Sequence, residues 1–247
     1  FYFERDVDES GLDITLKRQY AIVKRVAKPL VLATTGGVSA ASVSYRTSVV
    51  SGTSGSFSGV DIGTADANRV VAVAVGWFAE TNPNTPSLTI GGTAAQLIWS
   101  GGQSGYRLAL FALRVTSGTT ADIVASNLGD SPSDITIMVW RLVAAGVTPT
   151  SYYTDNTTAG NLIPRVDPRV NSVLIAASFG SVGSSGLSAS YSGTDTVTER
   201  ADAATGGTKN ARYGAYDSTL AETDDNEHLT ITTSSTNPST MIAAVWR

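Results

Sequence analysis

The segment Val70-Val71-Ala72-Val73-Ala74-Val75-Gly76-Trp77 decides the fold, because its large and small apolar residues alternate. The odd-numbered residues, three valines and Trp77, fall on one side of an extended chain, and the even-numbered residues fall on the other. This period of two predicts a strand whose bulky face enters a core. The smaller face is also apolar, so we expect a second layer to cover it.

Four further strand-like segments follow, and the chain between them is rich in Gly, Asn and Pro. The segments are Ser87–Ile90, Tyr106–Val115, Asp122–Ala125 and Ile135–Leu142. Turn formers such as Asn82-Pro83-Asn84 and Gly101-Gly102 separate them. Gly tolerates positive φ and Pro fixes φ, so we expect the chain to reverse at these clusters. The pattern predicts an all-β, antiparallel domain.

The order of these segments returns roughly 100 residues later, which indicates a duplicated unit rather than a solenoid. The apolar face of Val173, Ile175, Ala177 and Phe179 matches the large face of the first strand. Arg212 lies in a strand-like segment as Arg107 does, and Val245-Trp246-Arg247 matches Val139-Trp140-Arg141. The alternative is that strand–turn–strand sequences resemble one another through composition alone.

We therefore divide the chain into four parts. Residues 1–56 form an N-terminal docking arm and linker, with a flexible link at 51–56, and residues 57–145 form a first five-strand unit. Residues 146–168 connect it to a second five-strand unit at residues 169–247. The fold class is an antiparallel β-sandwich built from two pseudo-repeated units.

The bulk composition excludes several classes of function. Of the 247 residues, 42% are hydrophobic and 15% are charged, the net charge is −4, and there is no Cys. Disulfide frameworks and zinc–thiolate sites are therefore excluded. The acidic balance argues against nucleic acid as a partner, and no apolar run reaches the length of a membrane span.

The N-terminal arm reverses its charge near residue 14. An acidic stretch precedes five basic residues, which are Lys17, Arg18, Lys24, Arg25 and Lys28. Alternation at Leu12, Ile14 and Leu16 predicts a short strand, whereas Tyr20 and Val23 also fit a helix that ends before Pro29. Strand and helix both remain open for residues 12–28. The arm either docks the protein on a larger body or on sister chains through these basic residues, or lies on its own sheet as an edge strand.

The sequence contains few residues suited to catalysis. His228 is the only histidine, and the Gly-x-Ser-x-Gly and phosphate-binding Gly motifs are absent from the sequence. The acidic residues 222–227 could bind calcium, but a solvated hairpin is the preferred interpretation. We predict no enzyme activity, no catalytic residue, no cofactor and no metal. The alternative of a polysaccharide hydrolase would have to use carboxylates such as Glu80 and Glu199.

The aromatic residues fall into two groups. Trp77, Trp140 and Trp246 lie in apolar segments and are predicted to pack in the core. Candidate contacts to glycans are Trp99 and Tyr106, which flank the predicted Gly101-Gly102 turn, and Tyr152 and Tyr153 in the connector. Exposed aromatic rings stack on the apolar faces of sugars. The alternative is that these rings fix loops to the sandwich.

Three segments carry a resemblance to a known class of proteins. Asp61–Arg69 leads into the first strand, and Leu88–Ala95 and Thr196–Arg200 follow. Over residues 57–247 the chain resembles bacteriophage virion proteins of the fibre, spike and decoration type. The resemblance implies a jelly-roll-like sandwich on an extracellular particle, often a homo-oligomer such as a trimer, which in some cases contacts host-surface glycans.

Together these observations give three hypotheses about function. The first is a non-enzymatic virion structural subunit, namely a tail fibre, spike or capsid decoration, which binds other virion proteins through residues 1–56. The second is a secreted or displayed carbohydrate-binding module. The third is the polysaccharide hydrolase.

Overall fold

The computed structural model divides the chain into two compact units, Phe1–Val38 and Ser39–Arg247. It describes residues 5–8, 11–14, 40–80, 85–144, 146–157, 162, 165–166, 171–181, 188–192, 195–220, 227–232 and 239–247. Every regular element of these residues is a β-strand, which confirms the predicted fold class.

The first unit contains a short antiparallel hairpin of β1 (Arg5–Asp8) and β2 (Gly11–Ile14), in which Val7 pairs with Leu12. The short strand predicted around Leu12 and Ile14 is confirmed. Residues 15–39 lie outside the described residues, and with them lie the five basic residues and the helical alternative.

The second unit begins with a nine-strand repeat. Its strands are β3 (Ser42–Gly52), β4 (Ser56–Asp61), β5 (Arg69–Phe78), β6 (Ser87–Ile90), β7 (Thr93–Ala94), β8 (Gln96–Gln103), β9 (Tyr106–Arg114), β10 (Thr120–Ser126) and β11 (Ser133–Val143). They form a five-stranded sheet with the order β3-β11-β5-β9-β8 and a four-stranded sheet with the order β4-β10-β6-β7.

An eight-strand repeat follows it. Its strands are β12 (Ser151–Thr157), β13 (Arg165–Val166), β14 (Ser172–Ser181), β15 (Ser188–Tyr191), β16 (Thr198–Ala204), β17 (Ala211–Leu220), β18 (Glu227–Thr232) and β19 (Ser239–Trp246). The sheet orders are β12-β19-β14-β17-β16 and β13-β18-β15. In both repeats the first strand pairs with the last and the second with the penultimate. This is how a long hairpin folds over into a jelly roll, and the shared order confirms the duplication.

The boundaries of the repeats differ from those that the sequence predicted. The first repeat begins at β3 rather than at residue 57, because Ser42–Gly52 pairs along the length of β11. The second begins at β12 rather than at residue 169, because Ser151–Thr157 pairs with β19. Residues 42–52 and 151–157, which the sequence assigned to the arm and to the connector, are therefore strands of the two repeats. In β3 only Val43, Tyr45 and Val49 alternate with polar residues, and β12 is polar apart from Tyr152 and Tyr153.

The described residues form three apolar cores between stacked sheets. One core lies inside the first repeat and contains the odd-numbered residues of β5, such as Val73 and Trp77. A smaller core lies inside the second repeat. The largest lies between the two five-stranded sheets and contains the even-numbered residues of β5, such as Ala72. Residues 70–77 of β5 are thus buried on both faces, as its two apolar faces predicted.

Two details of the predicted repeat are wrong in register. Asn68 directly precedes β5, and Asn171 directly precedes the equivalent strand β14. Counted from them, Val173 is equivalent to Val70, so the face from Val173 to Phe179 meets the central core and does not match the face of Val71. Trp246 pairs with Val173, the equivalent of Val70, but Trp140 pairs with Ala72. The two Val-Trp-Arg endings are therefore displaced by two residues along their strands.

Other predicted correspondences are confirmed. Arg107 pairs with Trp77 and Arg212 pairs with Gly180, and these are equivalent positions in the two ladders. Trp77, Trp140 and Trp246 are all buried, as predicted.

Candidate functional site

The two five-stranded sheets meet along two seams, each of which contains an outer strand, β3 or β12. At the first seam β3 of the first repeat contacts β17 of the second. At the second seam β12 of the second repeat contacts β8 of the first. The strands β3 and β12 are equivalent, whereas β17 corresponds to β9 rather than to β8. The internal pseudo-symmetry therefore relates the two seams through their edge strands β3 and β12.

A buried polar cluster closes the first seam. The Ser48 hydroxyl lies 2.9 Å from the Tyr213 hydroxyl. Nearby, Asp217 is only 1% exposed and accepts a hydrogen bond of 2.8 Å from Nε of Arg200. Burial raises the pKa of Asp217, and the Arg200 guanidinium opposes this. Burial also raises the pKa of Tyr45, to about 12, while Ser48 lowers it.

The second seam is open and forms a groove of about 290 Å³. We define the seam groove by its lining residues, which are Gln96, Leu97, Ile98, Thr148, Pro149, Thr150, Ser151, Tyr152 and Tyr153. The described lining residues carry no charged side chain. The Gln96 amide nitrogen lies 3.1 Å from the Thr148 hydroxyl oxygen, so a hydrogen bond joins β8 to the segment that leads into β12 at the groove.

Two of the four predicted glycan-contact residues lie in the seam groove. Tyr152 is 46% exposed, and Tyr153 is half-buried beside it. Both belong to the edge strand β12 rather than to a loop. Gln96 and Thr148 were not predicted, because only the folded chain brings β8 and the segment before β12 together.

The other two predicted contacts lie elsewhere. Tyr106 is 8% exposed and its hydroxyl donates a hydrogen bond of 3.0 Å to the Lys209 carbonyl. Trp99 is half-buried against the central core. The predicted turn between them is wrong, because Gly101-Gly102 pairs with β9 inside β8. The chain reverses instead at Ser104 and Gly105, which have positive φ.

A second polar cluster lies on β16 and β17. Nη2 of Arg212 lies 2.8 Å from Oδ2 of Asp202, and this hydrogen bond raises the pKa of Arg212. Burial raises the pKa of the neighbouring Glu199 carboxyl, and the Asp202 carboxylate raises it further. Glu80 instead forms an exposed ion pair of 3.3 Å with Lys209. The two glutamates of the hydrolase hypothesis therefore share no partner among these contacts.

Several other predictions receive no structural account. Residues 221–226 and the side chains of Glu227 and His228 lie outside the described residues, so the acidic hairpin and the lone histidine stay predictions. Within the described part of the chain, no three acidic or histidine side chains gather as metal ligands. No helix there has the length and apolar character needed to cross a membrane.

Comparison with protein-family models, curated proteins and solved structures finds no match for this chain. The resemblance to virion proteins stays a prediction.

Proposed function

We propose that this chain is a non-enzymatic structural subunit of a virion, anchored to other virion proteins through its N-terminal unit. The observation that carries the proposal is the division of the chain at Val38 and Ser39 into two compact units. All five basic residues predicted to dock belong to the first unit. The docking segment of the proposal is therefore residues 1–38, shorter than the 56 residues that the sequence suggested.

The second unit suits a part that is displayed outside a cell. Its two five-stranded sheets are covered on both faces by the three cores. Such burial on both faces makes local opening costly. The absence of Cys makes its stability independent of the redox state of the surroundings.

The test is a co-sedimentation experiment with particles purified from the source culture. Antibody raised against residues 39–247 should detect the full chain with the particles. A chain that lacks residues 1–38 should stay in the supernatant, while its circular dichroism spectrum still shows a folded β unit. Full chain that remains free of particles, or truncated chain that still sediments with them, would reject the proposal.

A charge-reversal variant sharpens this test. Replacement of Lys17, Arg18, Lys24, Arg25 and Lys28 by Glu should reduce the sedimenting fraction as strongly as the deletion does. The matched control is Arg247→Glu, which changes an exposed basic residue of the second unit and should leave the sedimenting fraction unchanged.

A displayed or secreted carbohydrate-binding module is the second candidate. The position of Tyr152 in the seam groove favours it. The polysaccharide hydrolase gains no comparable support, because Glu80 and Glu199 have separate partners.

A further inference from the structure

Tyr45 and Tyr152 occupy equivalent positions in the two repeats. Tyr45 pairs with Trp140, which pairs with Ala72, the fourth residue after Asn68. Tyr152 pairs with Ala244, which pairs with Ile175, the fourth residue after Asn171. The two tyrosines therefore stand at the same place in the edge strands of the two seams.

Their surroundings differ at the two seams, and the difference leaves space beside Tyr152. Tyr45 meets the Trp140 ring edge-on, with 5.7 Å between the ring centroids. The equivalent of Trp140 beside Tyr152 is Ala244. A small residue thus stands in the second repeat where the first has a large aromatic one, which leaves room beside Tyr152.

We propose that the seam groove binds a neutral saccharide, with the Tyr152 ring stacked on the apolar face of a sugar. Tyr152 and Val124 are the large apolar side chains most exposed among the described residues, and Tyr152 alone lines this groove. Aromatic rings with a polar hydroxyl suit ligands that present one apolar face and several hydroxyl groups.

The polar groups of the groove also suit a neutral saccharide. The Gln96 amide offers donors and an acceptor, and the hydroxyls of Thr148 and Thr150 can donate or accept. Since the described lining carries no charge, it cannot compensate the desolvation of an anionic or cationic ligand. A volume of about 290 Å³ is at the small end for ligand sites and favours a mono- or disaccharide unit.

The experiment is a screen of the full chain against immobilised neutral oligosaccharides and their sulfated and sialylated counterparts, followed by titration of the best ligand. We expect binding to a neutral saccharide and weaker binding to its charged counterparts. Tyr152→Ala should weaken the affinity by at least about tenfold, and Tyr152→Phe should keep it within about threefold. Val124→Ala is the matched control and should leave it unchanged.

Three results would overturn the inference. They are no binding to any neutral saccharide, equal affinity of the Tyr152→Ala variant and the parent, or a preference for charged saccharides. Sedimentation velocity tests whether a second copy of the chain occupies the groove instead. A change of oligomeric state in Tyr152→Ala would assign the groove to that second copy. The inference does not rest on the virion proposal, since removal of residues 1–38 leaves every residue of the groove in place.

Discussion

Gly76 and Phe179 occupy equivalent positions in the two repeats and pack against each other in the central core. Each is the eighth residue after the asparagine that precedes its strand, and any Cβ added to Gly76 would overlap the Phe179 ring. The pseudo-symmetry axis of the second unit therefore passes close to this pair. One repeat supplies the ring and the other supplies the space for it.

This pair gives a test of the central interface. Gly76→Ala should lower the free energy of unfolding by about 1–3 kcal/mol, because the ring must shift in a close-packed core. In a Phe179→Leu background the same substitution should cost less, since the smaller side chain leaves space for the methyl group. A double-mutant cycle by urea unfolding measures the coupling, and additive effects would mean that the two residues do not interact.

The buried arginine at the start of β5 gives a second prediction. The Arg69 guanidinium donates hydrogen bonds to the carbonyl oxygens of four loop residues, which are Gly63, Val115, Ser117 and Gly118. Arg69→Met should cost about 3–5 kcal/mol of unfolding free energy, because several buried acceptors lose their donors. Arg69→Lys should rescue little, since an ammonium group cannot reproduce the planar fork.

Arg247→Met is the matched control for Arg69. The Arg247 residue is exposed, so we expect a change within about 0.5 kcal/mol in urea unfolding. Equal losses in the two variants would show that burial of Arg69 is not what makes it important.

Asp217 should make the free energy of unfolding increase as the pH falls. Burial raises the pKa of Asp217 in the folded state above its unfolded value, while Arg200 opposes the shift. The folded protein therefore binds the proton more tightly, so protonation stabilises it as the pH falls. Between about pH 7 and pH 4 the parent should gain urea-unfolding stability relative to Asp217→Asn.

Asp61→Asn is the control, because the pKa of Asp61 is shifted in the opposite direction. The hydrogen bond from Arg46 lowers the pKa of Asp61 in the folded state, and the amide of Gly63 adds to this. The stability that Asp61 contributes is present above its unfolded pKa and is lost only as the pH falls through the lower folded value. The parent and Asp61→Asn should therefore keep a constant difference over the range in which Asp217→Asn diverges. If Asp217→Asn ran parallel to the parent, Asp217 would not have a raised pKa.

The revised repeat boundary predicts the effect of truncation. A chain of residues 39–247 keeps β3 and should be folded, whereas a chain of residues 57–247 lacks it and exposes β11 as an edge. Loss of β3 also removes Tyr45 from the Trp140 ring, so the shorter chain should unfold at a clearly lower temperature or aggregate. Equal melting temperatures by circular dichroism would place β3 in the arm after all.

The sequence predicted those elements that carry a strong local pattern. The alternation of β5 identified the strand and both of its buried faces, and the apolar settings of Trp77, Trp140 and Trp246 identified core residues. Val43, Tyr45 and Val49-Val50 indicated strand structure in β3, but that segment was assigned to the arm. The strands β8 and β12 were placed in loops, because edge strands have mixed composition and Gly101-Gly102 is typical of a turn. Pairing along β11, β9 and β19 overrides these local preferences.

The candidate site was predictable only in part. Tyr152 and Tyr153 stood out as aromatic residues in a polar segment, but the groove also needs Gln96 from the other repeat. Its opening depends on the contrast between Ala244 and Trp140, which is visible only in register. That register is set by long-range pairing between strands and not by any motif.

Differential scanning calorimetry of residues 39–247 tests most directly the claim that the two repeats share one central core. A shared core predicts a single unfolding transition, with a ratio of calorimetric to van't Hoff enthalpy of about 1. Two separate transitions, or a ratio of about 2 that marks two independently unfolding halves, would contradict it.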